Sequence, residues 1–541
     1  MNFKSLLKSV FIYNPHRNEQ EKLLNDEHID VQYDRRNIKE EKREIVSVNI
    51  DDNLNLIRNR FSVPKNNDVV IKQFTIKGDI KCFLFFYDGM SNSDAIDNFI
   101  IKGLLEIPYI ADFEPVRLAE ILRDKFIIHS QIEMTESIDK IIEDVNFGSC
   151  GLFIDGLNQG FSIDVRDWGH RGIDKPENEQ SIYGPQEAFA EMLRNNTALI
   201  RKIIKNEKLI AEGVKIGTVS KTRGVLLYIS DIANDKLVDE VRRRIEAISM
   251  EYVISIEEVA QMLENESYTS ISQSLSTERP DRAAHALAMG RVVLLLNGSP
   301  RALVFPSNLF EMTHTASDAY LRAPYANMTR IIRLLGMIIS VLFPGLYLAI
   351  TLFHQEMLPT YLLYAISASS ANVPFPSIVE LLLMDFSFEI IREAGIRMPG
   401  PIGQTLGIVG GLILGQAAVS AKIVSPIMIV VIAITGIGSF ATSDYSISWS
   451  LRIMRLIFIG LAAVAGFLGI AVGIFIYLTY VATLYSFGIP YLSPLPGSDK
   501  KGYFSALFVK QIWKRENRPS YLGVKNNETE PKISRKWKYR R

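Results

Sequence analysis

Residues 359–403 read PTYLLYAISASSANVPFPSIVELLLMDFSFEIIREAGIRMPGPIG, and the rest of the chain is best understood outward from them. Pro359 to Val373 is apolar, short, and rich in Ser and Ala. Pro374 and Pro376 break it, because proline lacks the backbone donor and clashes with the preceding turn. Ser377 and Glu380 then make a capping-box pattern that opens a new helix. On that helix Asp385, Glu389 and Glu393 recur every four residues and share one face. Glu389 with Arg392 and Glu393 with Arg397 stand at spacings where opposite charges pair. Leu382, Leu383, Phe386, Ile390 and Ile391 lie opposite. A broken half-helix is thus followed by an amphipathic helix, at membrane depth or at the membrane surface.

The flanks are apolar. Leu334 to Phe353 is a run of 20 residues without a charge; as a helix it covers about 30 Å, the hydrocarbon thickness of a bilayer. Residues 402–440 carry one charge, Lys422, and Lys422 with Pro426 marks a fold-back. A third uncharged run, Leu456 to Ser498, supplies one long helix to about Tyr480. A Pro- and Tyr-rich interfacial stretch with Tyr485, Pro490 and Tyr491 follows. Predicted spans therefore lie near 331–353, 402–421, 423–440 and 456–481, with 359–397 broken or re-entrant. If 359–397 crosses fully there are five spans and the tail lies outside; four spans, with both ends inside, are preferred. The opening MNFKSLLKSVFIYNPHR lacks the apolar core and cleavage site of a signal peptide, so the front region is expected to stay cytoplasmic. Lys500, Lys501, Lys510 and Lys514 favour the same side for the tail.

Charge divides the chain in the same places. Its 541 residues have a net charge of zero. Residues 1–328 hold roughly 40 Lys/Arg against about 50 Asp/Glu, 329–484 about 7 against 6, and the tail about 13 against 4. The expected architecture is an α/β cytoplasmic N-terminal region of two subdomains, then an all-α polytopic transmembrane domain. Its parts are a flexible segment 1–44, subdomains 45–165 and 166–328, the membrane domain 329–484, and a basic cytoplasmic tail 485–541.

Strands are predicted at Val69–Thr75 and Ile80–Tyr87, and a helix at Asp94–Leu105. Hairpins are predicted around Gly156-Leu157-Asn158 and around Asn297-Gly298-Ser299-Pro300. Helices are predicted over Pro185–Lys205 and Asp235–Ile248, with strands near Lys215–Ser220 and Gly224–Ser230. No long-period repeat is visible.

No motif argues for an enzyme, a metal or a cofactor. The seven histidines are scattered, and Cys82 and Cys150 form no CxxC. Phosphate-binding glycine loops and GxSxG are absent. Asp164, Asp167, His170 and Arg171 read as a solvated loop, and Glu278 to Arg282 as a helix entry with local ion pairs. The terminal KISRKWKYRR, following a span, reads as a lipid-headgroup anchor rather than a nucleic-acid contact. Gly403, Gly407, Gly411 and Gly415 make three overlapping GxxxG steps, and Gly469 with Gly473 another, a device for close helix packing.

The run from Ala371 to Phe440, with GPQEAFAEMLRNNTALIRKII and TERPDRAAHALAMGRVVLLLNGSPRALVFP upstream, resembles the spore germination receptor A-subunit family over roughly residues 45–490. The resemblance implies an inner-membrane protein of the endospore that works with a permease-like B subunit and a lipoprotein C subunit. The nutrient would be bound by the B subunit. It further implies a homo-oligomer, a pentamer, forming a nutrient-gated cation channel. An A-like stage V sporulation protein shares the core; a transporter subunit and a non-conducting scaffold are the other readings. For a channel, the broken helix suits a pore or gate. Its candidates are Asp385, Glu389 and Glu393 as acidic rings, Glu380 next, and Ser367, Ser369 and Ser370 at a narrow point. The alternative is that the carboxylates only cap and pair.

Overall fold

The computed structural model describes residues 44–76, 79–106, 119–127, 131–167, 175–396, 401–442, 444–495 and 507–529. The segment 1–43, His170, Arg171, Arg397 and the last twelve residues lie outside the described residues. From Ile45 on, the chain forms one compact unit.

The front half contains the same fold twice. In the first copy α1 (Ile50–Arg60) precedes β1 (Val69–Ile76) and β2 (Ile80–Tyr87). A helical segment α2 (93–105), β3 (Ile132–Thr135), α3 (Ile138–Asn146), β4 (Cys150–Ile154) and β5 (Gly160–Ile163) follow. The second copy runs α4 (Leu193–Ile203), β6 (Leu209–Ile216), β7 (Thr222–Ile229), α5 (Asp235–Glu246), α6 (Ile256–Leu263), β8 (Leu275–Thr277), α7 (Pro280–Ala288), β9 (Val292–Leu296) and β10 (Ala302–Phe305). The sheets have orders β1-β2-β4-β5-β3 and β6-β7-β9-β10-β8, all neighbours antiparallel. Eight pairs of corresponding elements, all but α6, begin 140–143 residues apart. The expectation of no long repeat is therefore corrected.

Local chemistry repeats with the fold. Asn53 and Asn196 are both buried, and each braces the backbone six residues upstream with two hydrogen bonds, to Ser47 and to Ala190. Gly148 and Gly290 take positive φ after α3 and α7, and Gly156 and Gly298 take it in the two hairpins. A side chain is strained in that backbone conformation, so glycine recurs there. The predicted helix 185–205 is corrected: it starts only at Leu193, because Asn196 holds residue 190 in an extended approach and Phe189 N–H donates to the Glu278 carbonyl.

The copies are joined by Arg201 of α4. Its guanidinium is buried, forks onto Asp68 at 2.5 and 2.8 Å, donates to Asn66 at 3.1 Å, and lies 4.0 Å from the Tyr87 ring centroid.

The second half is a helix bundle. α8 (Ala323–Phe353) leaves the α/β region. The short α9 (Thr360–Ser370) then leads past Pro374 and Pro376 to α10 (Ser377–Ile396). α11 (Pro401–Ser420), α12 (Pro426–Phe440) and α13 (Tyr445–Thr483) complete it. α8 and α13 are long and apolar enough to cross a membrane. α13 is not one rod, however. Gly466 (φ 57, ψ −135) breaks it into arms 445–465 and 467–483. The arms fold back on each other: a Cβ at Gly469 would lie 2.1 Å from the Leu461 carbonyl, and Gly473 packs against Leu461 and Phe458. Ile447 and Val481, near the two ends of α13, therefore reach the same core. The tip at Gly466 meets Phe353 and His354 at the end of α8.

Six rods result: α8, α10, α11, α12 and the two arms. They alternate in direction, and the chain enters and leaves on the α/β side. Where one helix was expected from Leu456, the structure places an arm from 445 and a second arm returning. Gly336 of α8 and Gly438 of α12 touch backbone to backbone, a contact that a larger residue would block.

The chain after α13 is also corrected. A hairpin of β11 (Tyr485–Ser486) and β12 (Ile489–Pro490) follows, with Phe487 and Tyr491 buried in the two cores of the second α/β copy. Leu522 and Val524 enter one of those cores too. Tyr491 is no interfacial residue: its hydroxyl donates to the Ser272 carbonyl at 3.0 Å. The described part of the basic tail is thus docked on protein.

Candidate functional site

An acidic face on α10 meets basic residues from α13. Arg455 Nη2 lies 3.0 Å from Asp385 and 2.6 Å from Glu389, and Arg452 lies 3.3 Å from Glu389. Arg392, one turn along α10, stands 3.7 Å from Glu389 and donates to Ser439 of α12. Asp385 and Arg455 are each 2% exposed. Arg392 lies between the rings of Phe388 and Phe440, and Arg452 covers Trp449. Ser340, Ser439, Thr442 and Ser448 surround the cluster. Five charged side chains from two rods are thus clasped inside the bundle, where neither sign could be left alone cheaply.

Asp385 and Glu389, expected as acidic-ring candidates or as pairing carboxylates, face arginines of their own chain, Asp385 buried and Glu389 half-buried. Arg452 and Arg455 were missed. The signal was present, two arginines three apart beside an apolar run, but the span was read as beginning at Leu456, one residue after Arg455.

Glu380, 2% exposed, makes no capping box with Ser377. Its carboxylate accepts the Ser425 N–H at 2.9 Å. Ser425 is the N-cap residue of α12, so Glu380 serves the positive end of a different helix. Glu393 is exposed on α10. Ser367 is exposed and Ser369 and Ser370 are half-buried on α9, a helix with no buried residue, and Pro374 and Pro376 lie in the break after it. Gly415 packs on Ile429 of α12, whereas nothing approaches Gly411. The surroundings of Gly403 and Gly407 fall outside the described residues. Gly469 and Gly473 close the α13 hairpin, so their packing partner is the same chain.

A second charged joint ties the bundle to the second α/β copy. Asp318 receives Arg330 at 3.0 Å and Arg333 at 3.1 Å from the first turns of α8. Burial works to raise the Asp318 carboxyl, but the two guanidinium groups outweigh it and hold it below the usual range. Arg279 and Asp281, within the stretch expected to be a helix entry with local ion pairs, pair at 2.9 Å at the start of α7, and the pair is buried. Among the described residues no group of His, Cys, Asp and Glu converges as a metal site.

The Bacillus/Clostridium GerA spore germination protein family matches residues 55–521. The chain belongs to that family. The match runs past the expected limit of 490 and includes Tyr521, beside the docked Leu522. Spore germination protein KA of Bacillus subtilis (strain 168) is 34% identical, over 89% of this chain and 88% of its own. Spore germination protein GerLA of Bacillus cereus is 32% identical, over 88% and 96%. The crystal structure of the N-terminal domain of the A subunit of the Bacillus megaterium spore germinant receptor GerK3 aligns over 48% of this chain and 95% of its own. Its identity is 25% and its TM-score 0.39. This GerA-family chain has a role in spore germination, and its apolar helices make it membrane-associated.

Proposed function

We propose that this chain is the membrane-embedded A subunit of a nutrient germinant receptor in the spore inner membrane, with its α/β region and C-terminal segment on the cytoplasmic side. In this reading it acts without covalent chemistry. It works with a permease-like B subunit that binds the nutrient and with a lipoprotein C subunit, and its copies assemble into a cation channel.

One observation carries the topology: six alternating rods that clasp Asp385, Glu389, Arg392, Arg452 and Arg455 inside while Phe386, Ile437, Val464 and Phe475 stand exposed on the outside. Such an exterior belongs in lipid or against another subunit. Arg330 and Arg333 at the α/β end agree with a cytoplasmic placement of that end.

Because Glu380 and Asp385 are enclosed within one subunit, a path shared between copies would use positions outside that enclosure instead: exposed Glu393 and Ser367, with half-buried Ser369 and Ser370 on α9. The non-conducting scaffold is the second reading, favoured by the same enclosed carboxylates. Liposomes holding this chain with its B and C partners separate the two. Nutrient-dependent K⁺ efflux that changes in Ser367→Leu or Glu393→Gln supports the channel. Absence of efflux from an assembled complex supports the scaffold.

A further inference from the structure

Two surface segments stand beside the entry points of the bundle helices with side chains suited to a lipid surface. The first is the loop 264–274 between α6 and β8. Glu264 fixes it from within, accepting from Gln273 N–H at 2.8 Å, Ser274 N–H at 2.9 Å, Ser274 Oγ at 2.7 Å and Ser272 Oγ at 3.1 Å. The loop is also fastened to the start of α13 and to the chain just after its end. The Ser270 carbonyl accepts from the Ser450 hydroxyl of the first arm, and Asn265 donates to the Tyr485 carbonyl, just past the second arm, at 3.0 Å. Between these fastenings Tyr268 projects fully exposed.

The second segment is 507–514, LFVKQIWK. Val509 N–H donates to the Asn327 side chain at 2.6 Å, and that side chain donates back to the Val509 carbonyl at 3.3 Å. Asn327 lies in the opening turns of α8, so the segment is strapped across the base of that rod. It presents Leu507 at 41% and Ile512 at 57% exposure, beside exposed Lys510 and Lys514.

Apolar tips, a tyrosine and lysines held at the base of apolar rods have the chemistry of the bilayer interface. Aromatic rings settle at headgroup level, and lysines are drawn to anionic headgroups. The lysines supply the charge complement of a phosphate layer. We propose that Tyr268 and the 507–514 strap form a platform on the headgroup layer of the leaflet facing the α/β region, and that Lys510 and Lys514 select anionic phospholipids there. The proposal rests on the membrane reading above and adds that the α/β region lies on the lipid surface at a defined face.

The test uses the full chain in nanodiscs of mixed phosphatidylglycerol and phosphatidylcholine. Cys82 and Cys150 are buried, so a fluorophore attached through Tyr268→Cys, Ile512→Cys or Ile476→Cys reports one site at a time. Ile476 is exposed on the second arm and serves as the membrane reference. Quenching by chain-brominated lipid is read at each position, with either the anionic or the zwitterionic lipid brominated. Quenching is expected at 268 and 512, stronger from brominated phosphatidylglycerol. Lys510→Gln and Lys514→Gln should each lower that preference about fivefold, the equivalent of ~1 kcal/mol per basic residue at an anionic surface. Quenching at 476 but at neither 268 nor 512 overturns the platform and leaves the membrane reading intact. Equal quenching by both lipids, unmoved by the lysine changes, overturns the anionic selection. No quenching at 476 removes the membrane reading and the platform with it.

Discussion

The two α/β copies share a topology but complete their cores differently. The first is aromatic: Phe61, Phe83, Phe85 and Phe153 pack ring against ring beneath Tyr87. At the matching strand positions the second carries Val225, Leu227 and Leu295, smaller side chains that fill less space. It makes up the difference with Ile447, Val481, Leu484, Phe487, Tyr491, Leu522 and Val524 from the second half of the chain. The first copy is therefore a self-sufficient unit, and the second is half of a joint whose other half is the bundle. A movement of the α13 arms has to pass through the second copy's core, whereas the first copy receives it through the interface around Arg201, where Arg60–Glu207 and Arg194–Asp88 also cross.

The largest effect expected is a difference between the copies when the bundle is removed. Each missing side chain withdraws about 1.5–3 kcal/mol of burial from the second copy. In a 45–320 fragment, hydrogen exchange in β8, β9 and β10 should quicken at least about a hundredfold relative to the full chain, the equivalent of ~3 kcal/mol. Exchange in β2 and β4 should stay nearly unchanged. Equal acceleration in both copies would remove the distinction.

Arg201 tests the link between them. Arg201→Met leaves Asp68 facing a desolvated interface without its cation and should cost about 3–5 kcal/mol, the usual penalty for breaking a buried pair. Unfolding followed by denaturant should then separate into two transitions. Replacing both partners, Arg201→Met with Asp68→Leu, should restore most of the stability. A double variant as unstable as the single one would show that the pair is not what joins the copies.

Asn53 and Asn196 sharpen the likeness rather than the difference. Each satisfies a backbone N–H and a backbone carbonyl from a buried position. Asn53→Ala and Asn196→Ala should therefore cost similar amounts, about 1–3 kcal/mol, in a thermal melt. A cost confined to one of them would mean that the bracing is not shared.

Much of the fold was legible because its signals are local. The two hairpins announced themselves through Gly156 and Gly298, the break in the bundle through Pro374 and Pro376, and the apolar rods through their lack of charge. The repeat was not legible, since the copies preserve hydrogen-bonding positions such as Asn53 and Asn196 while exchanging aromatic for aliphatic cores. The α13 hairpin was hidden because Gly466 sits in an apolar run with no charge or proline to mark the turn. The clasp was half legible. The acidic face of α10 followed from spacing, but its partners lie more than sixty residues away on another rod, and only folding brings Arg455 to Asp385. The same holds for Glu380, whose role depends on the chain returning at Ser425.

Acid should also tell the copies apart, by a smaller margin. His285 of α7 stands where the first copy has Glu143, and His314 lies between β10 and α8. Burial, reinforced by Arg515 and Arg291, pushes His285 down to about 4. Burial, with Arg330 adding to it, pushes His314 down to about 3 against a smaller opposing pull from Asp318. Both are therefore neutral when folded and take up a proton on unfolding once the pH falls below about 6.5. The unfolded state binds more protons in that window, so stability falls with decreasing pH, by at most about 1.4 kcal/mol per pH unit for each histidine, until the folded values are reached. Among the described residues the first copy has no histidine to contribute such a slope. His285→Gln and His314→Gln should each flatten the loss between pH 6.5 and 4 in exchange measured on the second copy, and leave the first unchanged. A loss of the same slope in both copies, untouched by either substitution, would place the acid response in the carboxylates instead.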